Sequence, residues 1–281
     1  MTKWYRVSHE VRAVDPDDRG FQYGDGLFET VAIRNGKPRL WDFHLARLTK
    51  GCERLGLNLA SASTLQLHVD IALRQSPEDT AACIAKIIVT AGTQQRGYAR
   101  SMKSPTEVFI SIFPATPVNK PAYVKGVATM MCDTRLAVGS PVAGLKTLNR
   151  IEQVLGRSEV APTGAFEGLM RDAEDRLICG TMSNVFIVND QLVKTPSLER
   201  CGVAGTMRRL VIQELERSDA ELEICDLTED DLASADEVFI ANSQMGVVPV
   251  HRCGDLHWQV GAVTRDVMQL LAECGIDECR V

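Results

Sequence analysis

The sequence predicts a mixed α/β (α+β) protein organised as two domains. Three observations lead there. Strand-like apolar segments recur between segments of helical spacing along the whole chain. In the first half, strand candidates stand next to each other, as 82–91 and 107–113 do, and neighbouring strands favour an antiparallel sheet. Between the halves, Pro114-Ala115-Thr116-Pro117-Val118-Asn119-Lys120-Pro121 carries prolines that no regular element accommodates. The expected division is a smaller N-terminal α/β domain over 1–114, a linker over 115–121 and a larger C-terminal domain over 122–281.

The elements follow in order. Residues 28–33 (Phe28-Glu29-Thr30-Val31-Ala32-Ile33) read as a strand, with Asn35-Gly36 as its turn. Asp42 suits the N-cap of a helix reaching about Leu55. Leu45, Leu48, Cys52 and Leu55 recur at helical spacing there and are expected to face the core. Residues 82–91 are apolar and β-branched (Ile84, Ile87, Ile88, Val89), so they read as a buried strand with 107–113 as partner. Beyond the linker, 124–131 reads as a strand and 150–160 as a helix. Residues 185–188 form a strand with a turn at Asn189-Asp190. Helix 207–217 places Met207, Leu210, Val211 and Leu215 on one side. A short strand at 237–241 and a helix at 262–274 close the chain. Pattern alone does not set the topology of the second half.

Composition narrows the class. Hydrophobic residues are 45% and charged residues 24% of the 281, as in ordinary globular proteins. The net charge of −6 is modest and its signs are interspersed, which argues against a nucleic-acid partner. No apolar run approaches the ~18 residues needed to span a bilayer. Met1-Thr2-Lys3-Trp4-Tyr5-Arg6 leads into polar sequence rather than a signal-peptide core. The nine cysteines are odd in number and scattered, with no Cys-x-x-Cys pair, so neither a disulfide framework nor a zinc site is expected. The location expected is a reducing cytoplasm, and the partner a small-molecule substrate.

Six segments carry groups that could do chemistry. In Gly144-Leu145-Lys146-Thr147-Leu148-Asn149-Arg150 a lysine lies in a half-apolar setting where a helix is expected to start. Desolvation disfavours an ammonium, and a neutral amine can form a Schiff base with a carbonyl. His44 and Arg47 share one helical face, away from the Leu45/Leu48 stripe. That face reads as an anion site or as solvated surface. Gly202-Val203-Ala204-Gly205-Thr206-Met207-Arg208 opens a helix whose N–H groups could cradle a phosphate, or forms an ordinary glycine loop. Asn242-Ser243-Gln244 follows an apolar strand and lines a crevice or makes a turn. Tyr23, in Tyr23-Gly24-Asp25-Gly26, and Arg96, in Arg96-Gly97-Tyr98, could meet a ligand or solvent. An amine combined with phosphate cradles suggests pyridoxal phosphate, and a phosphosugar enzyme working through a lysine would use the same parts. No metal-ligand cluster stands out.

Taken in order, these segments resemble the fold-type IV pyridoxal-phosphate enzymes. The matching pieces are Phe21 to Thr30, His44-Leu45-Ala46-Arg47-Leu48, Arg96-Gly97-Tyr98, Gly144 to Val154, Gly180-Thr181-Met182-Ser183-Asn184-Val185-Phe186, Gly202 to Arg208, and Asn242 to Val250. Lys146-Thr147-Leu148-Asn149-Arg150-Ile151-Glu152-Gln153 is the most specific of them, and it resembles the aminodeoxychorismate lyases more than the transaminases. The resemblance implies two α/β domains with pyridoxal 5′-phosphate at their interface, and a homodimer. It implies that Lys146 holds the cofactor aldehyde and later moves the substrate proton. Arg47, the backbone N–H groups of Thr206 and Met207, and the Ser243 hydroxyl would grip the phosphate. Tyr23, Arg96 and Gln244 would face the substrate. The implied reaction turns 4-amino-4-deoxychorismate into 4-aminobenzoate and pyruvate, a step toward folate.

One position departs from the family pattern. Five residues before Asn184, where the family carries a glutamate that keeps the cofactor's ring nitrogen protonated, this chain has Cys179. A free thiol, with a pKa of about 8.5, holds that proton poorly, whereas a thiolate could do part of the job. Two other readings stay open: a D-amino-acid or branched-chain aminotransferase of the same family, and a degenerate member that binds cofactor without turnover.

Overall fold

The computed structural model describes residues 3–6, 9–11, 13–101 and 104–281. Met1 and Thr2, at the head of the opening segment, lie outside them. Contacts divide the chain into two compact units. The first comprises residues up to Thr116 together with Leu145–Asn149, and the second Pro117–Gly144 with Arg150–Val281. The sequence places 145–149 in the C-terminal domain expected over 122–281. The segment packs with the first unit instead, because its backbone hydrogen bonds run to the start of a strand there: Phe28 N–H donates to the Lys146 carbonyl (2.9 Å) and Leu148 N–H to that of Gly26 (3.0 Å).

The first unit carries β1 (Trp4–Arg6), β2 (His9–Val11), α1 (Arg19–Tyr23), β3 (Gly26–Arg34), β4 (Lys37–Pro38), α2 (Trp41–Leu55), α3 (Ala62–Gln75), β5 (Ala82–Thr90) and β6 (Glu107–Pro114). The sheet order is β2-β1-β6-β5-β3-β4, antiparallel at each pairing. Asn35 and Gly36 turn β3 into β4 with φ of 50° and 73°, the left-handed pair that a tight hairpin demands. Val31 and Ile33 of β3, and Cys83, Ala85, Ile87 and Val89 of β5, are buried. Leu48 and Cys52 of α2, and Leu65, Val69 and Ala72 of α3, are buried as well, each large side chain contributing about 1.5–3 kcal/mol by leaving water. α2 lies on β3 so closely that a Cβ at Gly51 would stand 2.8 Å from Leu27 Cδ1.

Two expectations for α2 are corrected. Asp42 is not the cap. Leu40 holds that position at φ 52° without a side-chain hydrogen bond, and Asp42 falls in the first turn, where its carboxylate complements the helix dipole. The buried face is His44, Leu48, Gly51 and Cys52, whereas Leu45 is only half-buried. His44 turns inward because β3 supplies it with a buried carboxylate partner, described below.

The second unit carries α4 (Lys120–Lys125), β7 (Val127–Met131), α5 (Ile151–Val160), β8 (Glu167–Arg171), β9 (Leu177–Gly180), β10 (Asn184–Asn189) and β11 (Leu192–Pro196). It continues with α6 (Thr206–Arg217), β12 (Leu222–Cys225), α7 (Glu229–Ala233), β13 (Glu237–Asn242), β14 (Gly246–Cys253), β15 (Leu256–His257) and α8 (Ala262–Glu273). The sheet runs β12-β11-β10-β13-β14-β7-β8-β9, with β15 on β14. It is mixed, with parallel pairing at β11/β12, β14/β7 and β7/β8. Phe186 and Phe239 stack across β10 and β13 with ring centroids 4.8 Å apart. The strand expected over 124–131 begins only at Val127. Ahead of it, Asn119 caps α4 by accepting from Ala122 N–H (3.2 Å), and Pro121 fits the first turn, where its missing N–H is not needed. The turn after β10 falls at Asp190 and Gln191, both at positive φ, one residue later than expected.

Candidate active site

In the first unit, Lys146 belongs to an extended segment rather than a helix start. Gly144 sits at φ +77°, Leu27 and Thr147 form an antiparallel bridge, and α5 begins only at Ile151. Gly26 is required beside this segment, because a Cβ there would meet the Val89 carbonyl at 2.3 Å and Leu148 Cδ1 at 2.8 Å. The Lys146 amine stands 4.1 Å from the centroid of the Phe28 ring. One side of the amine is therefore aromatic, the half-apolar setting the sequence suggested.

Arg47 projects from α2 onto β3. Its Nε donates to Glu29 Oε1 at 2.8 Å and its Nη2 to Oε2 at 2.5 Å. His44 Nδ1 lies 2.6 Å from the same Oε2. Glu29 and His44 are each 1% exposed. Burial pushes the Glu29 carboxyl up, but the Arg47 charge and hydrogen bonds, with those from His44, outweigh it and hold the pKa at about 2. Burial lowers the His44 pKa, against the pull of Glu29. The imidazole is therefore neutral near pH 7 and donates its Nδ1 proton to the carboxylate.

Tyr23 ends α1, and its hydroxyl accepts from Gly97 N–H at 3.4 Å. Arg19 pins the same loop, with Nη1 donating to the Gly97 carbonyl (2.7 Å), Nη2 to that of Tyr98 (3.1 Å) and Nε to Asp25 (2.9 Å). Arg96 rides on this loop and is exposed. The first unit thus holds Tyr23, Arg47, Arg96 and Lys146.

The second unit holds the rest. Gly205 is the N-cap residue of α6 and has no side chain to cap it. A Cβ there would stand 2.0 Å from Asn184 Oδ1. Thr206 and Met207 are buried in the first turn. Arg208 follows, with Nε on Thr195 Oγ1 (3.2 Å) and Nη2 on the Pro196 carbonyl (2.9 Å). Burial lowers its pKa to about 10. A guanidinium bonded to a hydroxyl and a carbonyl keeps its full charge, which adds to the positive end of the helix. Asn242 Oδ1 accepts from Gln244 N–H (2.9 Å) and Met245 N–H (3.0 Å), a turn that sets Ser243 and Gln244 at the end of β13.

Cys179 lies on β9 in an apolar cluster with Met170, Ile178, Leu198 and Cys201. Burial, with Cys201 and Glu167, pushes its thiol far above the ordinary range, and Arg150 pulls only weakly the other way. These surroundings favour the neutral thiol over the thiolate. Next to it, Glu167 is fully buried and accepts from Gly168 N–H (2.9 Å), Met182 N–H (3.2 Å) and Ser183 Oγ (2.8 Å). It fixes the β9–β10 turn.

Sequence reasoning missed Glu29, Glu167 and Arg208. Glu29 was findable, since it alternates with Leu27 and Val31 on the buried face of β3. Among the described residues, no helix is long and apolar enough to cross a membrane, and no group of His, Cys, Asp and Glu could hold a metal ion.

Comparison with known proteins gives concordant matches. The amino-transferase class IV family model matches residues 26–253. An aminodeoxychorismate lyase of Vibrio harveyi is 37% identical over 83% of this chain and 84% of its own length. A D-alanine aminotransferase of Bacillus licheniformis is 30% identical over 85% of this chain and 82% of its own. The crystal structure of a 4-amino-4-deoxychorismate lyase from Pseudomonas aeruginosa superposes with a TM-score of 0.89 at 39% identity, covering 96% of this chain and 98% of that one.

Proposed function

The chain belongs to the amino-transferase class IV family, and on that premise we propose that it is an aminodeoxychorismate lyase, splitting 4-amino-4-deoxychorismate into 4-aminobenzoate and pyruvate on the way to folate. The observation that carries this reading is the Lys146-to-Gln153 motif in a chain 37% and 39% identical to two lyases, against 30% for the aminotransferase. Members of the family use pyridoxal 5′-phosphate, which supplies an electron sink for the bond-breaking step.

The residues present fit that cofactor. Lys146 provides the amine that attaches it, and the Phe28 ring beside the amine limits its solvation. Arg47 binds the phosphate through its guanidinium. Thr206 and Met207 add backbone N–H groups at the α6 N-terminus and Ser243 adds its hydroxyl, with the Arg208 charge behind them. Tyr23, Arg96 and Gln244 orient the substrate, Arg96 on a carboxylate. With the cofactor bound, Lys146 Nζ would take the proton from the amine-bearing carbon and return it to the departing enolpyruvyl group, which would leave as pyruvate as the ring becomes aromatic. Cys179 is the exception to the fit, since a neutral thiol does not hold a proton on the ring nitrogen. Aromatisation supplies driving force that transamination lacks, so the lyase is the member of the family that best tolerates this change.

The enzyme works in the cytoplasm as a homodimer. What supports the dimer is α5, whose Ile151, Val154 and Leu155 are 66%, 57% and 51% exposed. They stand at i, i+3 and i+4, one apolar stripe of a helix. An antiparallel contact centred on Val154 and Leu155 would set Ile151 against the small Ser158 of a second copy, and Glu152 against Arg157.

The test is incubation of the loaded protein with aminodeoxychorismate, followed by assay of 4-aminobenzoate and pyruvate. Their equimolar release supports the lyase. Amine transfer from D-alanine to 2-oxoglutarate without that release assigns the chain to the transaminases, the reading the Bacillus licheniformis relative favours. A bound cofactor whose absorbance no substrate changes marks a non-enzyme.

A further inference from the structure

We propose that Glu29 and His44 are positioning residues that lock the Arg47 guanidinium in one orientation for the cofactor phosphate, an inference that rests on the reading of Arg47 given above. The geometry is the argument. A guanidinium on a three-carbon stem has many rotamers, and holding it in one costs conformational entropy. Here two of its nitrogens, Nε and Nη2, meet the two oxygens of one carboxylate at 2.8 and 2.5 Å. That fork fixes the plane of the guanidinium, so the direction of Nη1 is set by Glu29 rather than by the arginine's own torsions. The carboxylate is fixed in turn. Glu29 sits on β3 within the sheet, and His44 grips its Oε2 at 2.6 Å from one helical turn before Arg47.

The cost of this arrangement points the same way. An ion pair and an imidazole at these positions displace apolar packing between α2 and β3, and such a buried pair is weak as a stabilising device. Leu27, Val31, Leu48 and Cys52 already fill the apolar parts of that interface. A triad in which each group orients the next does, however, give a rigid anion ligand, which an apolar replacement could not.

The test uses cofactor-free protein titrated with pyridoxal phosphate and, separately, with pyridoxal, which has the same aldehyde and lacks the phosphate. Binding is followed by the absorbance of the attached aldehyde. The ratio of the two affinities reads phosphate recognition alone, and a loss of general packing weakens both ligands without moving the ratio. Arg47→Ala collapses the preference for the phosphorylated form, and this arm tests the underlying reading. Glu29→Gln places an amide donor against Arg47 and lowers the preference about tenfold, the scale of one charge-assisted hydrogen bond. His44→Ala lowers it several-fold, and His44→Asn restores it, because the Asn amide can donate where Nδ1 does. If Arg47→Ala lowers the ratio while Glu29→Gln and His44→Ala leave it unchanged, the two residues merely pack and the inference is overturned. If Arg47→Ala itself leaves the ratio unchanged, Arg47 is not the phosphate ligand, and both readings fall. Should Glu29→Gln not fold, the His44→Ala and His44→Asn pair decides alone.

Discussion

Glu29 makes the first unit acid-labile, and the size of the effect follows from its surroundings. The carboxyl falls from an ordinary 4.5 to about 2 in the folded protein. A depressed folded value means that the stabilisation is complete above the unfolded value and is lost as pH falls toward the folded one. Between about pH 6 and about pH 3.5 the fold loses roughly 1–2 kcal/mol through this one group, from proton linkage with those two values. His44 acts in the same direction. Its folded pKa lies below 6.5, so protonation favours the unfolded chain as pH drops under that value. Glu29→Gln removes the carboxylate's share of the slope. At neutral pH it also costs about 3 kcal/mol, since Arg47 is left 12% exposed without its counter-charge. The assay is urea unfolding at a series of pH values in a Trp258→Phe background, where Trp4 and Trp41 report the first unit, Trp41 being the first residue of α2. The stability of the parent should fall faster with acid than that of Glu29→Gln, the gap between them closing by roughly 1–2 kcal/mol over the range. Parallel curves would refute the reasoning, because the buried carboxylate would then titrate alike in both states.

Two further outcomes are expected. Cys179→Glu puts a carboxylate among Met170, Ile178, Leu198 and Cys201, close to Glu167. Cofactor-free protein should lose roughly 2–5 kcal/mol of stability at neutral pH, read by thermal or urea unfolding, because burial and Glu167 oppose the new charge more than Arg150 supports it. Turnover of the loaded variant then shows whether the missing acid limits the natural enzyme, and an unchanged rate means that it does not. Leu155→Glu on α5 should convert a dimer to a monomer in light scattering after gel filtration, with little effect on folding, since the side chain is 51% exposed within its own subunit. A dimer that survives the substitution places the contact elsewhere.

Long strands and local turns were legible because their signals are local. The β-branched run in β5 and the Asn35-Gly36 pair each specify a conformation without reference to distant residues. The second sheet was not legible. Its parallel pairs join strands far apart in sequence, as Val193 of β11 meets Leu222 of β12 and Thr129 of β7 meets Glu167 of β8. No short-range pattern encodes that choice. The α4 region was misread because Tyr123 and Val124 carry strand propensity, whereas the Asn119 cap and Pro121 that start the helix lie inside what composition marks as a linker.

The site divides along the same line. Lys146, Arg47 and the glycine loop before α6 stand in motifs whose residue types announce an amine and an anion cradle. Glu29 stands in one of those motifs too, yet its role depends on what faces it. A carboxylate between Leu27 and Val31 on the inward face of a strand cannot remain charged without a buried cation, so the alternation alone demands a partner. The sequence offers two candidates on the next helix, His44 and Arg47, three residues apart. Helical spacing alone suggests a stripe through Leu45 and Leu48, which would turn His44 and Arg47 away from the core, but Leu45 is only half-buried. The buried face is set by His44 with Leu48 and Cys52, at i, i+4 and i+8. Once a buried carboxylate on β3 is admitted, that register is the one that satisfies it, and the polar and apolar requirements of α2 are met by the same rotation of the helix.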